Sequence, residues 1–162
     1  MTDRPTLHLL CGKIAAGKSS LAASLSRGAK SIVISQDRWL APLYPDEIKT
    51  LSDYVRHVAR LQDALKPHLV ELLRAGVSII LDFPANTVKS RLWMRSIFEE
   101  AGAAHKLHFL DTPDEICRGR LAARNASGVH DYQVSEAQFD EFTRYFEPPN
   151  EAEGFDVVIY RP

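Results

Sequence analysis

The sequence predicts an α/β fold in which five parallel strands form one sheet with helices on both faces. Three observations predict it. Short apolar or β-branched runs alternate along the chain with segments of helical period, the order that βαβ units require. Glycine or proline punctuates most of the transitions between them. The first strand-to-helix turn, Gly12-Lys13-Ile14-Ala15-Ala16-Gly17-Lys18-Ser19, fits the pattern G-x-x-x-x-G-K-[ST].

Taken in order, Thr6–Cys11 is a buried strand and Lys18–Ser26 a helix closed by Arg27-Gly28. Ser31–Ser35, SIVIS, is a second strand because β-branched residues suit a pleated surface. Gln36–Pro45 mixes prolines with aromatics and reads as a loop. Leu51, Tyr54, Val55, Val58, Leu61, Leu65, Leu69, Leu72 and Leu73 recur at steps of three and four, an amphipathic helix to about Arg74. Pro67 should kink or restart that helix, since its ring clashes with the preceding turn. Ala75-Gly76 ends it. Val77–Asp82 is the third strand, Thr87–Ala101 a helix stopped by Gly102, and Lys106–Leu110 the fourth strand. Asp111-Thr112-Pro113-Asp114-Glu115 combines a capping Thr or Asp, a first-turn Pro and acids at the positive end of the dipole, so a helix runs from there to about Ala123. Asn125–Gln133 reads as a polar loop within a mobile lid spanning approximately 118–135. Ser135–Phe146 is helical, and Phe155–Tyr160 is the last strand. No internal repeat or linker interrupts 1–162, which reads as one domain.

Composition bounds the function. The chain has 162 residues, enough for one domain with a proper core and tight for two. A net charge of −1 and a pI near 6.6 lack the basic footprint of a duplex binder. Two cysteines without a C-x-x-C pairing signal neither a disulfide framework nor a zinc site. The N-terminus has no apolar signal core, and no apolar run is long enough to span a bilayer. The expectation is a soluble, cytoplasmic protein without a membrane partner.

A phosphate needs several N–H donors converging without side chains in the way. Gly12 and Gly17 let the backbone bend and approach, and the N–H groups of Gly12–Ser20 and of the first helical turn then face the phosphates. Lys18 reaches the outer phosphates and the Ser19 hydroxyl ligates Mg²⁺. ATP or another nucleoside triphosphate is the expected ligand.

In open parallel sheets, ligands sit beyond the carboxyl ends of the strands. Asp37 follows the second strand by two residues, and Asp82 ends the third. Phosphoryl transfer needs metal held against the phosphates and a carboxylate that orients or deprotonates the acceptor. Asp37 and Asp82 suit these two roles, and the residues alone leave open which takes which. Arg38, Trp39 and Tyr44 follow Asp37 and either contact an acceptor or pack their segment down. Arg120 and Arg124 lie four apart on one helix face, where they can bridge a transferring phosphoryl group; Arg118 falls elsewhere. His105 and His108 point to opposite faces of their strand. His57 and His68 read as surface or groove residues, and His130 sits in the lid.

These residues resemble a known group. The loop, SQD after the second strand, IILDFPANTVKSRLWMRSIFEEAG, and RLAARN followed by SEAQFDEFTRYFEPPNEAEGFDVV look like the small P-loop kinases of AAA_33 type. Within these the chain is similar to polynucleotide-5′-kinase-like and zeta-toxin-like ATP-binding domains. The resemblance implies a three-layer P-loop NTPase fold, nucleoside-monophosphate-kinase-like, with a helical lid. It implies Asp37 as base on the acceptor hydroxyl, Arg120 or Arg124 (Arg124 favoured) as the lid arginine on the phosphates, and a functional arginine at Arg91. Asp82 matches, but Phe83-Pro84-Ala85-Asn86 departs from the usual Thr-Asn that follows such an Asp. A second similarity, to gluconate kinases, rests on Arg120, Arg124, His130, Ser135, Gln138, Phe139, Glu147-Pro148 and Glu151 or Glu153. QDRWLAPLYPDE matches neither group well, and Leu40 falls near the place of the arginine that grips a 5′-nucleotide phosphate.

The expectation is therefore a kinase moving the γ-phosphoryl group of ATP·Mg²⁺ to a hydroxyl. Lys18, Asp37, Arg120 and Arg124 would be catalytic, Arg38, Trp39, Asp82 and Arg91 would bind substrate, and Ser19, Asp37 and Asp82 would hold the metal. A small-molecule acceptor is favoured over a nucleic-acid end or nucleotide sugar. A nucleotide-dependent switch ranks below, since no N-K-x-D guanine motif is present.

Overall fold

The computed structural model describes residues 4–28, 30–128 and 134–162. Five strands, β1 (Thr6–Cys11), β2 (Ser31–Ser35), β3 (Ser78–Pro84), β4 (Ala104–Leu110) and β5 (Val157–Tyr160), form one sheet in the order β2-β3-β1-β4-β5. Every adjacent pair is parallel. The central strand β1 is nearly continuous apolar sequence because both its faces are covered. On one face Leu7, Leu9, Cys11, Ile79, Leu81 and Phe83 pack against α3 (Leu51–Arg74) and α4 (Val88–Ala101). On the other, Leu10 and Ile80 meet Ala22 of α1 (Lys18–Leu25). A separate cluster of Leu110, Cys117, Leu121, Val134 and Phe139 joins α5 (Asp114–Ser127) and α6 (Glu136–Arg144) to Ala16 of the first turn. No described helix is long and apolar enough to cross a membrane.

The segment expected as a loop after β2 is helical: α2 spans Gln36–Leu43. Pro42 and the aromatics argue against a helix locally, but Gln36 and Leu40 lie four apart and are both buried, so packing overrides propensity. Pro67 does not restart α3, which runs through it from Leu51 to Arg74. A proline in a helix interior costs roughly 3 kcal/mol. Leu61, Leu65, Leu69, Val70 and Leu73 are all buried on that helix, at about 1.5–3 kcal/mol each. The apolar face outweighs the proline.

The stop and start signals hold where their chemistry is specific. Thr50 with Asp53 caps α3, Thr87 with Ser90 caps α4, and Ser135 with Gln138 caps α6, each as a reciprocal capping box. Gly102 ends α4 in the left-handed region at φ 64°. The start of α5 differs from expectation. Its cap position is Pro113, with no side-chain cap, and Thr112 turns its hydroxyl to the Ala16 carbonyl instead. Helix α5 also runs on to Ser127, so Asn125, expected in a loop, is helical and donates to the Val134 carbonyl at 2.8 Å. Residues 129–133 of the expected lid, with His130, fall outside the described residues.

His105 and His108 do face opposite ways. His105 stacks on Phe98, and His108 sits between His8, at 2.9 Å, and the Tyr160 hydroxyl, at 2.8 Å. His57 is a groove residue, largely covered where it lines a concavity: its Nδ1–H donates to the Asp53 carbonyl at 2.6 Å and its ring meets Tyr44 edge-on.

Burial, reinforced by His8 and Lys106, lowers His108 to about 4. The unfolded chain therefore binds the proton that the native protein refuses, so stability is full above pH 6.5 and falls as pH drops toward 4, by up to about 3 kcal/mol. Urea unfolding of wild type and His108→Gln at pH 7.5 and 4.5 checks this. The variant should lose less stability between the two pH values, and an equal loss would contradict the assignment.

Candidate functional site

The turn from β1 to α1 is shaped by two positions that require glycine. A Cβ on Gly12 would lie 3.1 Å from the Ala16 Cβ and 3.3 Å from the Leu110 Cβ. Gly17 has φ +108°, a conformation that side chains rarely adopt. Between them Ala16 N–H closes a turn onto the Lys13 carbonyl, and Ala15 sits at φ 63°. Helix α1 opens with no side-chain cap and no acid in its first turn. Its leading N–H groups and dipole therefore face an open, anion-accepting space. Ser19 and Ser20 are exposed beside it.

Charged groups hold this loop from several sides. The Lys18 ammonium donates to the Gly12 carbonyl at 2.5 Å and the Lys13 carbonyl at 2.9 Å. Lys13 pairs with Asp114 at the start of α5 and lies over the Phe146 ring. Arg120 donates to the Ala16 carbonyl at 3.2 Å, beside Thr112 on the same oxygen. Ile14 and Ala15 pack onto the α5–α6 cluster.

The carboxylates arrive from the neighbouring strands. Ser35 and Asp82 are register partners in β2 and β3, and Asp37 stands two residues beyond Ser35 in the first turn of α2. Asp82 is presented by an irregularity. The pairing of β1 with β3 runs Leu9↔Leu81 and then Leu10↔Pro84, leaving Asp82 and Phe83 outside the β1 ladder. Pro84 has no N–H to give a ladder and belongs at such a bulge.

Lys18, Asp37, Asp82 and Arg124 act on one another electrostatically. Burial lowers Lys18 below the ordinary lysine range; Asp82 is the chief opposing charge and Arg124 adds to the lowering. Desolvation in the cleft raises Asp37 above the usual carboxylate range, against Lys18 and Arg124. Asp82 is raised by desolvation, countered by Lys18, raised further by Asp37 and countered by Arg38. The Arg124 Nε is buried without a hydrogen-bond partner. A buried cationic donor left unmatched is costly, and an anionic ligand relieves that cost.

No group of three or more His, Cys, Asp or Glu among the described residues forms a metal cage. The Ser19 hydroxyl and the Asp37 and Asp82 carboxylates are oxygen donors that could hold Mg²⁺, which takes one or two protein side chains beside waters and substrate phosphates.

Arg91 is a correction. It is completely buried, so it has no surface to offer a substrate. Its guanidinium is consumed by Glu153, at 2.8 and 3.2 Å, and by the Ala85 and Glu147 carbonyls. Tyr44 packs on His57, and Trp39 is partly exposed beside Arg38 on α2. A wide, charged concavity of about 530 Å³, lined by Asp46, Glu47, Lys49, Arg56, His57 and Arg60, lies beyond the end of α2, and none of the catalytic candidates lines it. Sequence reasoning missed Asn86, whose side chain bonds the Gly12 peptide in both directions. Pro84 inside a strand-like run was the available signal for the bulge that brings it there.

With this geometry in view, the comparisons are consistent. The AAA_33 profile, described as an AAA domain, matches residues 7–149, and the chain belongs to that family. No curated protein sequence matches it closely. Solved structures share the fold across nearly the whole chain. The Mycobacterium tuberculosis APS kinase CysC, in complex with AMPPNP and APS, is 20% identical over 98% of this chain and 89% of that one, with TM-score 0.65. Chaetomium thermophilum Kti12, in complex with ADP-AlF3, is 14% identical over 96% and 88%, with TM-score 0.71. A chain of the Pnkp1/Rnl/Hen1 RNA repair complex is 17% identical over 90% of this chain and 45% of that one, with TM-score 0.68. The fold is that of the P-loop NTPases with kinase-type neighbours.

Arg91→Ala strips a buried carboxylate and two carbonyls of their partner and should cost about 3–5 kcal/mol in urea unfolding. Wild-type stability in that variant would contradict the structural role.

Proposed function

We propose that this protein is a kinase that transfers the γ-phosphoryl group of ATP to a hydroxyl of a small-molecule acceptor. The observation that carries the reading is the convergence of Lys18, Arg124, Asp37 and Asp82 on the anion-accepting turn Gly12–Ser19. A switch that only binds nucleotide has no use for two partly desolvated acids facing that turn.

Asp37 is the better base. It stands in the first turn of α2, where an acceptor can meet it, whereas Asp82 is the chief carboxylate on Lys18. In transfer, the acceptor oxygen attacks the γ-phosphorus, the bond to the ADP oxygen breaks, and the acceptor proton passes to Asp37. Lys18 has a third N–H beyond the two it gives to the Gly12 and Lys13 carbonyls, and donates it to the outer phosphate oxygens. Arg124 donates to the outer phosphoryl oxygens, where charge is spread, while Arg120 keeps its hold on the Ala16 carbonyl. Mg²⁺, bound through Ser19 and Asp82, would supply charge neutralisation across the outer phosphates. Arg38 and Trp39 follow Asp37 on α2 and are exposed, available to an acceptor.

The near-neutral charge and the kinase-type neighbours support a small molecule; the APS kinase among them was solved with its small acceptor. Incubation with γ-labelled ATP and pools of hydroxyl compounds, with 5′-hydroxyl oligonucleotides as a separate pool, tests the reading. Label should move to a small-molecule pool, and Asp37→Asn should cut transfer by about 10²–10⁴-fold with little change in ATP binding. Label found only as free phosphate, at a rate unchanged in Asp37→Asn, would refute it. Transfer to the oligonucleotides alone would reassign the acceptor.

A further inference from the structure

We infer that the concavity beyond the end of α2 is a binding site for a small zwitterion, a molecule carrying an ammonium group and a separate anionic group. The inference does not depend on the kinase reading.

The site is built where α2 gives way to α3. Tyr44-Pro45-Asp46-Glu47 closes as a turn, with the Glu47 N–H on the Tyr44 carbonyl at 3.3 Å. Asp46 takes its third position at φ 63°, a conformation that Asp tolerates. The turn therefore sets two acids side by side, and Lys49 follows them. From α3 come Arg56 and Arg60, four apart on one helix face, with His57 beside them. These six residues line about 530 Å³, a size that suits a small molecule.

The opposite charges around this concavity do not neutralise one another by contact. Among the described residues, Asp46, Glu47, Lys49 and Arg60 form no ion pair, and Arg56 is engaged by Asp53 at 3.0 Å. A lone anion entering would meet two carboxylates. A lone cation would meet Lys49 and two guanidinium groups. A ligand with both charges satisfies both sets. Each exposed contact is weak in water, so selectivity comes from using the two ends together.

His57 defines the ammonium end more closely. It is 4% exposed, and its ring is held by the Asp53 carbonyl at 2.6 Å and edge-on by Tyr44 at 4.2 Å between centroids. The bond to the carbonyl places a proton on Nδ1, which leaves Nε2 of the neutral ring as an acceptor. Among the described residues nothing donates to it. An ammonium has three N–H donors and can give to a carboxylate and to this nitrogen at once. The same residues form no metal-holding group among those described, so the cation they suit is an organic one.

The test titrates the protein with γ-aminobutyrate and ε-aminohexanoate at low ionic strength and follows the His57 ring signals by NMR. Butyrate, butylamine, hexanoate and hexylamine are the singly charged controls. At least one zwitterion should shift the His57 signals and bind about tenfold tighter than both of its controls. Arg60→Gln, and the double variant Asp46→Asn with Glu47→Gln, should each weaken it about three- to fivefold. These side chains are exposed, so the variants keep the fold. The inference is overturned if neither zwitterion binds, if a singly charged control binds as tightly, or if either variant keeps wild-type affinity. Displacement by AMPPNP would overturn it too, by placing the probe at the nucleotide turn. None of these outcomes depends on whether phosphoryl transfer occurs.

Discussion

Between Leu9 and Leu10 the pairing of the two central strands slips past Asp82 and Phe83, and the chemistry of the molecule is gathered at that slip. An unbroken ladder would have kept Asp82 in register with β1. The bulge releases it on that side while its pairing to Ser35 of β2 persists. The same break would leave the start of the phosphate-binding turn unsupported, were it not for the carboxamide of Asn86 on Gly12. One local irregularity thus presents a carboxylate and fixes the loop that the carboxylate faces.

Around that point the protein holds charges in a partly desolvated cleft. Lys18 is lowered, and Asp37 and Asp82 are raised, by removal from water, and each partly restores the others. Such an arrangement is costly. Lys18 meets part of the cost by donating to the carbonyls of its own loop. On the kinase reading, a triphosphate would offer Lys18 and the unpartnered Arg124 Nε further acceptors, and the site would be electrostatically prepared for charge that arrives with the substrate.

The sheet, five of the six described helices and the Gly12–Ser19 turn were legible because their signals are local: punctuating glycines, apolar residues at helical spacing, β-branched runs. What escaped was set by tertiary contact. Helix α2 carries Pro42 and forms because Gln36 and Leu40 have a core to enter. Thr112 reads as a cap and is used to hold Ala16. Arg91 has the residue type of a ligand contact, and only the burial that joins it to Glu153 and Glu147 reveals an internal strut. Asn86 sits in a stretch whose departure from pattern was visible, yet its partner lies 74 residues away in sequence. Helix α2 was the least legible for the same reason: its partners, such as Tyr54 on Gln36, come from α3.

The most direct test of the account is a crystal structure with AMPPNP and Mg²⁺. The account predicts that Lys18 Nζ lies within about 3 Å of the outer phosphate oxygens. Arg124 should also meet the γ-phosphate, and Asp37 should face it across the space for an acceptor. A nucleotide bound with its outer phosphates out of reach of Lys18, or with its γ-phosphate out of reach of both Arg124 and Asp37, would contradict it.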